Sequence, residues 1–363
     1  MCTRILNNIN KDHVTVGRNM DWEFSLQASL FMNPARGNRV GMSAEEAAKE
    51  GLDLSQVSRW KVKYGTIATM VGDDMNGYGF CDGMNEQGLV ANALYDTTCT
   101  FGEDALTENQ KGLSVLRWGQ FILDRFATVS EAVNFFAKDK IRLFGGKVPG
   151  DDNSAALLHI SISDKAGNSA ILEIEQGLVK SYESENYTVM TNQPDYATQL
   201  KLMDYWLYQW NKSEVRNLHP VFTVPGGYSP VQRFERGCFY RYLSNAKAQG
   251  VNPVAQVRSM VATCNVPSAF EELHPLSVIE KIEKGLGYSV NSQTLWTNVS
   301  DSRDRRYYYI SNGSMQMIWL NMDNDQQQSK KLVISDSFVK TEFMGQANHL
   351  MEECDSAPFS YSS

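Results

Sequence analysis

A β-hairpin opens this chain at its second residue. The segment CTRILNNINKDHVTVGR reads as a strand from Cys2 to Leu6, an Asn-rich polar turn, and a return strand from His13 to Arg18. The hairpin sets the first residues into a sheet and brings Arg18 back towards Cys2. Cys2 follows Met1, and a small residue there permits removal of an initiator methionine. Removal leaves a thiol, with a reference pKa of about 8.5, and an α-amine, of about 8, on one residue. Together they form a self-contained nucleophile and base. Met-Cys alone reads better as an incidental cysteine at a fraying terminus. The run RNMDW at 18–22 adds what an N-terminal thiol needs: Arg18 to stabilise a thiolate and Asp21 to hold the α-amine. The alternative for this pair is a surface ion pair of minor energy.

Bulk properties narrow the function classes. With 363 residues, 42% of them hydrophobic, the chain can bury a sizeable core. A net charge of -8 gives no electrostatic footprint for nucleic acid. No apolar run approaches the length of a membrane span, and no signal peptide precedes Cys2. The six cysteines, Cys2, Cys81, Cys99, Cys238, Cys264 and Cys354, are scattered. They form no CxxC pair and no cluster with histidine, so neither a zinc site nor a redox pair is expected. Cys81, Cys238 and Cys264 have apolar neighbours and read as small core residues.

Strand and helix patterns alternate in blocks. SLFMNPA (29–35), YGTIATMV (64–71) and the hairpin GYGFCDGMNEQGLVANALY (77–95) read as strands; 36–62 is loop-like with a short helix at AEEAAKEG. From Leu113 to Lys138 apolar residues such as Leu116, Phe121, Ile122, Phe126, Val129, Val133 and Phe136 recur near helical spacing, with Ser130 and Glu131 starting a second helix. SAALLHISIS, SAILEIEQ and YTVMTN are strands, followed by helices at 196–210, 230–247 and 252–263. TLWTNVSD, RRYYYISN, MQMIWLNMD and KKLVISD close the chain as strands. This pattern is α+β, with stacked sheets covered by helices. With no repeat, low-complexity tract or linker, residues 1–363 are expected to form one domain.

Five segments in order carry a resemblance: MCTR at the start, RNMDW at 18–22, MNEQGLVANALY at 84–95, VMTNQPDY at 189–196 and PGGYSPVQRF at 225–234. Their order and spacing resemble the choloylglycine hydrolase family, the bile salt hydrolases and penicillin V acylases of the N-terminal nucleophile superfamily, over nearly the whole chain. The resemblance implies a four-layer αββα sandwich and cleavage of a linear amide through a Cys2 thioester. No cofactor and no metal are expected.

Amide hydrolysis by a thiol needs a nucleophile, a proton shuttle and oxyanion donors. None of the five histidines, His13, His159, His219, His274 and His349, lies in one of the five segments. His13 reads as exposed and His159 as a core or edge residue, so the α-amine of Cys2 is the expected shuttle. Asn192 lies where Pro194 ends a strand and offers a side-chain amide donor; an ordinary turn Asn is the alternative. By resemblance, Tyr95 supplies a backbone N–H to the oxyanion and a ring to the acyl pocket. Arg233 matches the family's second active-site arginine, suited to a carboxylate or to Asp21; Arg236 reads as surface or interface. Trp22 reads as a pocket wall or a core residue.

About thirty residues (195–224) separate MTNQP from PGGYSP. That short spacing resembles the Gram-negative branch rather than bile salt hydrolases of Gram-positive type. Aromatic residues at 22 and 95 favour a flat or apolar acyl group. The expectation is a penicillin V acylase with N-acyl homoserine lactone acylase activity as an extension. Bile salt hydrolysis is the alternative enzyme, and an acyl-binding protein with Cys2 blocked by Met1 the alternative of another class. A homo-oligomer, tetramer or dimer, is expected around a small-molecule amide substrate. The location is cytoplasmic if Met1 is the native start and periplasmic if Met1 replaces an export signal.

Overall fold

The computed structural model describes residues 2–102, 105–244, 250–268, 292–323, 325–354 and 357–361. Among them two large sheets lie face to face between two layers of helices. The first sheet has strand order 189–190, 2–7, 15–22, 293–301, 306–311, 317–321, 344–346. The second runs 178–183, 169–175, 158–163, 90–95, 77–85, 66–73, 28–33, 330–334, 352–353. Neighbouring strands of the first sheet are antiparallel except for the pair 317–321 and 344–346. The sequence-expected hairpins hold: Cys2–Asn7 pairs with Thr15–Trp22, and Gly77–Asn85 with Val90–Tyr95.

Helices Pro230–Leu243 and Pro253–Ala262 pack on the outer face of the first sheet. Their approach is close. A Cβ at Gly17 would stand 2.9 Å from Val261 Cγ1, so the helix seats only against a glycine there. Helices Val115–Arg125 and Val129–Phe136 cover the second sheet, where the ring of Phe80 occupies the space above Gly119. One apolar core fills the space between the sheets and under the first helical layer; a second lies between the second sheet and the 115–136 helices. The four-layer αββα arrangement expected from the resemblance is present.

The differences are local. Thr128, not Ser130, caps the second of the 115–136 helices: its hydroxyl accepts from Glu131 N–H at 3.2 Å. Strand Leu178–Glu183 was not expected. It is the edge strand of its sheet, and its half-exposed, charged side chains hide the apolar alternation. Asn245, Ala246 and Lys247 of the expected helix 230–247 lie outside the described residues. No helix among the described residues is long and apolar enough to cross a membrane.

Candidate active site

Strand alternation decides what the hairpin presents. Arg18, Met20 and Trp22 project from one face of Thr15–Trp22, towards the second sheet; Asn19 and Asp21 project from the other, towards the helices. Cys2 lies opposite Met20 in the register and diagonal to Arg18. Its Sγ is 3.8 Å from Met20 Sδ and 3.4 Å from Arg18 Nη2, which also donates to the Ala93 carbonyl at 2.8 Å. Cys2 is 1% exposed and lines a narrow pocket with a volume of about 50 Å³. The walls are mostly apolar: Met20, Val71, Phe80, Leu116, Val148 and Leu158, with Trp22 and Tyr95 edge-to-face at 5.5 Å between centroids. The Trp22 Nε1–H is buried with no hydrogen-bond partner among the described residues.

Burial works against the charge of Arg18. The facing Cys2, Cys81, Asp82 and Tyr307 outweigh it, so the guanidinium holds its proton more firmly than usual. Asp82 is present through a bulge. Thr69 pairs with Asp82 and Met70 with Phe80, so Cys81 is the extra residue of its strand. The Asp82 carboxylate accepts from Asn92 Nδ2 and, at 2.8 Å, from the Tyr307 hydroxyl, which reaches across from the first sheet. Burial raises Asp82 to about 6, against the pull of Arg18. Burial pushes the neighbouring Cys81 thiol up to about 12.

The backbone end of Cys2 is held from the other side. Its nitrogen donates to Asn192 Oδ1 at 2.8 Å. Arg233, fully buried on helix Pro230–Leu243, donates Nη2 to the same Oδ1 at 2.7 Å and Nη1 to Cys2 O and to Thr3 Oγ1, the latter at 2.6 Å. Two donors on Oδ1 fix the amide orientation of Asn192, and Nδ2 donates to the Tyr95 carbonyl at 2.6 Å. One Nδ2 hydrogen remains for another acceptor. Gln199 clamps the loop behind, donating to the carbonyls of Asn192 and, at 2.7 Å, Pro194.

Asp21 is fully buried. It accepts from Thr294 Oγ1 at 2.6 Å and faces Arg233 Nη1 at 3.6 Å. A buried ion pair replaces the surface pair weighed from sequence.

The structure therefore gathers Cys2, Arg18, Asp21, Trp22, Tyr95, Asn192 and Arg233 at one place. Two expectations are corrected. His13 is buried, not exposed, because the hairpin turn folds onto the end of strand Gln293–Asp301, where Nε2 meets Asp301 Oδ2 at 2.9 Å. Arg236 is buried too: it ties the carbonyls of Thr263, Pro225 and Gly227 together at 2.6–2.9 Å beneath the site. Sequence reading missed Asp82, Asn92, Tyr307 and Gln199, whose polar side chains carry no local signal of their partners. The expected core cysteines Cys81, Cys238 and Cys264 are all buried.

Known proteins share this architecture. The family model for linear amide C–N hydrolases, choloylglycine hydrolase family, matches residues 2–335. The chain is 30% identical over 330 residues to a penicillin V acylase of Pectobacterium atrosepticum, covering 88% of this chain and 81% of that protein. It is 24% identical over 313 residues to a bile salt hydrolase/transferase of Clostridium perfringens, covering 79% and 88% respectively. The solved penicillin V acylase of Agrobacterium tumefaciens superposes with a TM-score of 0.77 at 26% identity, covering 99% of both chains. A conjugated bile acid hydrolase of Clostridium perfringens, at 18% identity and a TM-score of 0.71 over 92% of this chain and 97% of that one, shares the fold. The N-terminal hairpin, the two-sheet sandwich and these matches lead to one conclusion: this chain belongs to the choloylglycine hydrolase family of linear amide C–N hydrolases.

Proposed function

We propose that this amidohydrolase is an N-terminal cysteine acylase of the penicillin V acylase type, with long-chain N-acyl homoserine lactones as further substrates. The observation that carries the reading is the Cys2 sulfur, 3.4 Å from Arg18 Nη2 in a pocket that Trp22 and Tyr95 also line. Loss of Met1 turns the Cys2 nitrogen into an amine. Arg18 favours the thiolate, and the amine takes up the thiol proton. The thiolate attacks the substrate carbonyl, and the spare hydrogen of Asn192 Nδ2 and the Tyr95 backbone N–H receive the oxyanion. The Cys2 amine returns its proton to the departing amine, leaving a thioester. Water, deprotonated by the same amine, then releases the acid and the thiol. Arg233 and Asp21 keep the Cys2 backbone and Asn192 in place.

The walls favour the acyl group. Trp22 Nε1 offers one donor, and the remaining wall is apolar apart from Cys2, Cys81, Arg18 and Tyr95. A phenoxyacetyl ring or an alkyl chain suits such a surface. Each hydroxyl of a bile acid left without a partner costs about 1–3 kcal/mol. Two such groups shift kcat/KM by more than about tenfold. The test is competition among penicillin V, glycocholate and a long-chain acyl homoserine lactone on one preparation whose mass lacks Met1. Penicillin V or the lactone is expected to win; preference for glycocholate refutes the assignment and makes the chain a bile salt hydrolase.

A further inference from the structure

We propose that Asp96, His159 and Glu173 form a site for one divalent cation of the zinc class, buried beside the Cys2 pocket. They come from three neighbouring strands of the second sheet: Asp96 follows Val90–Tyr95, His159 is in Leu158–Ser163, and Glu173 is in Ser169–Glu175. One ligand atom from each lies within 4.8 Å of the others, and all three residues are buried.

The orientation of His159 is the main argument. Its Nε2 is 2.8 Å from the Thr191 carbonyl, which can only accept, so Nε2 carries a hydrogen. The residue is 1% exposed, and Nδ1 makes no hydrogen bond among the described residues and stands 3.5 Å from Asp96 Oδ2. A cation held between Nδ1 and the Asp96 carboxylate would join the two. Metal-binding histidines are characteristically prepared this way, with the far N–H donated to a backbone carbonyl. Tetrahedral zinc with bonds of about 2.0–2.2 Å places its ligand atoms about 3.4 Å apart, close to the spacing of this pair.

Charge is the second argument. Among the described residues neither Asp96 nor Glu173 forms an ion pair with lysine or arginine. Asp96 and Asp195 add negative charge around Glu173, and Lys180, opposite Glu173 in the register, pairs with Glu175 instead. One imidazole with two carboxylates suits zinc or a similar transition ion better than calcium, which takes six to eight oxygens. Such an ion would brace both sides of the catalytic groove, because Asp96 follows Tyr95 and His159 holds Thr191, the residue before Asn192. No chemical step runs through it.

The experiment loads the full chain with Zn²⁺ or Co²⁺, removes loose metal by gel filtration, and measures retained metal by mass spectrometry and the cobalt absorption spectrum. One equivalent should be retained. The cobalt form should show visible tetrahedral bands without the near-ultraviolet thiolate charge-transfer band that cysteines would add. Glu173→Gln, which keeps an oxygen for the Tyr196 N–H, and Asp96→Asn should each weaken retention at least about tenfold. A thiolate band, or equal retention by both variants, moves the metal to the cysteines and overturns the proposal. So does no retention at all, which leaves a proton on His159 as the partner of the carboxylates. If a variant fails to fold, the wild-type cobalt spectrum decides.

Discussion

Asn192 gives the sharpest test of how the site works, because its one amide serves two purposes. Oδ1 takes hydrogen bonds from Cys2 N at 2.8 Å and Arg233 Nη2 at 2.7 Å; Nδ2 gives one to the Tyr95 carbonyl at 2.6 Å. Asn192→Ala removes all three, and at about 1 kcal/mol each they account for roughly 3 kcal/mol of stability. It also removes the proposed oxyanion donor, which is worth about 100- to 1000-fold in kcat. Asn192→Asp separates the two effects. A carboxylate still accepts from Cys2 N and Arg233 but donates nothing. Both variants should lose kcat by about 100- to 1000-fold with little change in KM. The aspartate should place an oxygen against the Tyr95 carbonyl without orphaning Arg233. The assay is release of free amine from penicillin V under saturating conditions, alongside thermal unfolding. If Asn192→Asp keeps wild-type kcat, or if the loss appears only in KM, Asn192 is not the oxyanion donor and serves only to position Cys2 and Arg233.

Three further outcomes follow from named groups. Burial raises Asp82 from an ordinary 3.8 to about 6, so folding takes up a proton between those values. Its stabilising contribution is complete below about pH 4 and is lost as pH rises through 6, by up to about 3 kcal/mol. Asp82→Asn should flatten that part of the stability–pH curve; an unchanged slope in urea melts from about pH 4 to 7 would show that another group is responsible. Arg233→Ala breaks the buried pair with Asp21 and the hydrogen bonds to Cys2, Thr3 and Asn192 and should cost about 3–5 kcal/mol, so a melting temperature equal to wild type would contradict a structural role for Arg233. A variant with an extra residue that mass spectrometry shows to be retained before Cys2 should lose turnover while its thiol still reacts with iodoacetamide, since an amide nitrogen is no base at neutral pH; turnover at the wild-type rate would place the proton shuttle elsewhere.

Much of the site was legible because its motifs lie on regular elements. Period-2 alternation along RNMDW already separates Arg18 and Trp22 from Asp21, and the hairpin turn already returns Arg18 to Cys2. The helical start at SPVQRF, where Ser229 caps the helix through Gln232 N–H, places Arg233 on the first turn. What was not legible is long-range. Arg233 reaches residues 2 and 3 across the whole fold, and no local pattern distinguishes it from Arg236, which spends its hydrogen bonds on three carbonyls. His13 read as exposed because its neighbours are polar, and Asn10, Lys11 and Asp12 are indeed exposed, yet the His13 ring is buried against Asp301. Asp82 depends on a one-residue bulge that turns both Cys81 and Asp82 towards Arg18, and bulges leave no mark in apolar periodicity. His159, Asp96 and Glu173 are far apart in sequence, and only the order of three strands brings them together.

The central claim is that Cys2 carries the acyl group once its amine is free. Its most direct test is intact-mass and peptide mass spectrometry of the enzyme quenched by acid during turnover of penicillin V. The account predicts a phenoxyacetyl adduct on the terminal peptide, attached to Cys2 through a hydroxylamine-labile thioester, and only on molecules that lack Met1. An adduct on another residue, or turnover and acylation at full rate in molecules that retain Met1, would contradict it.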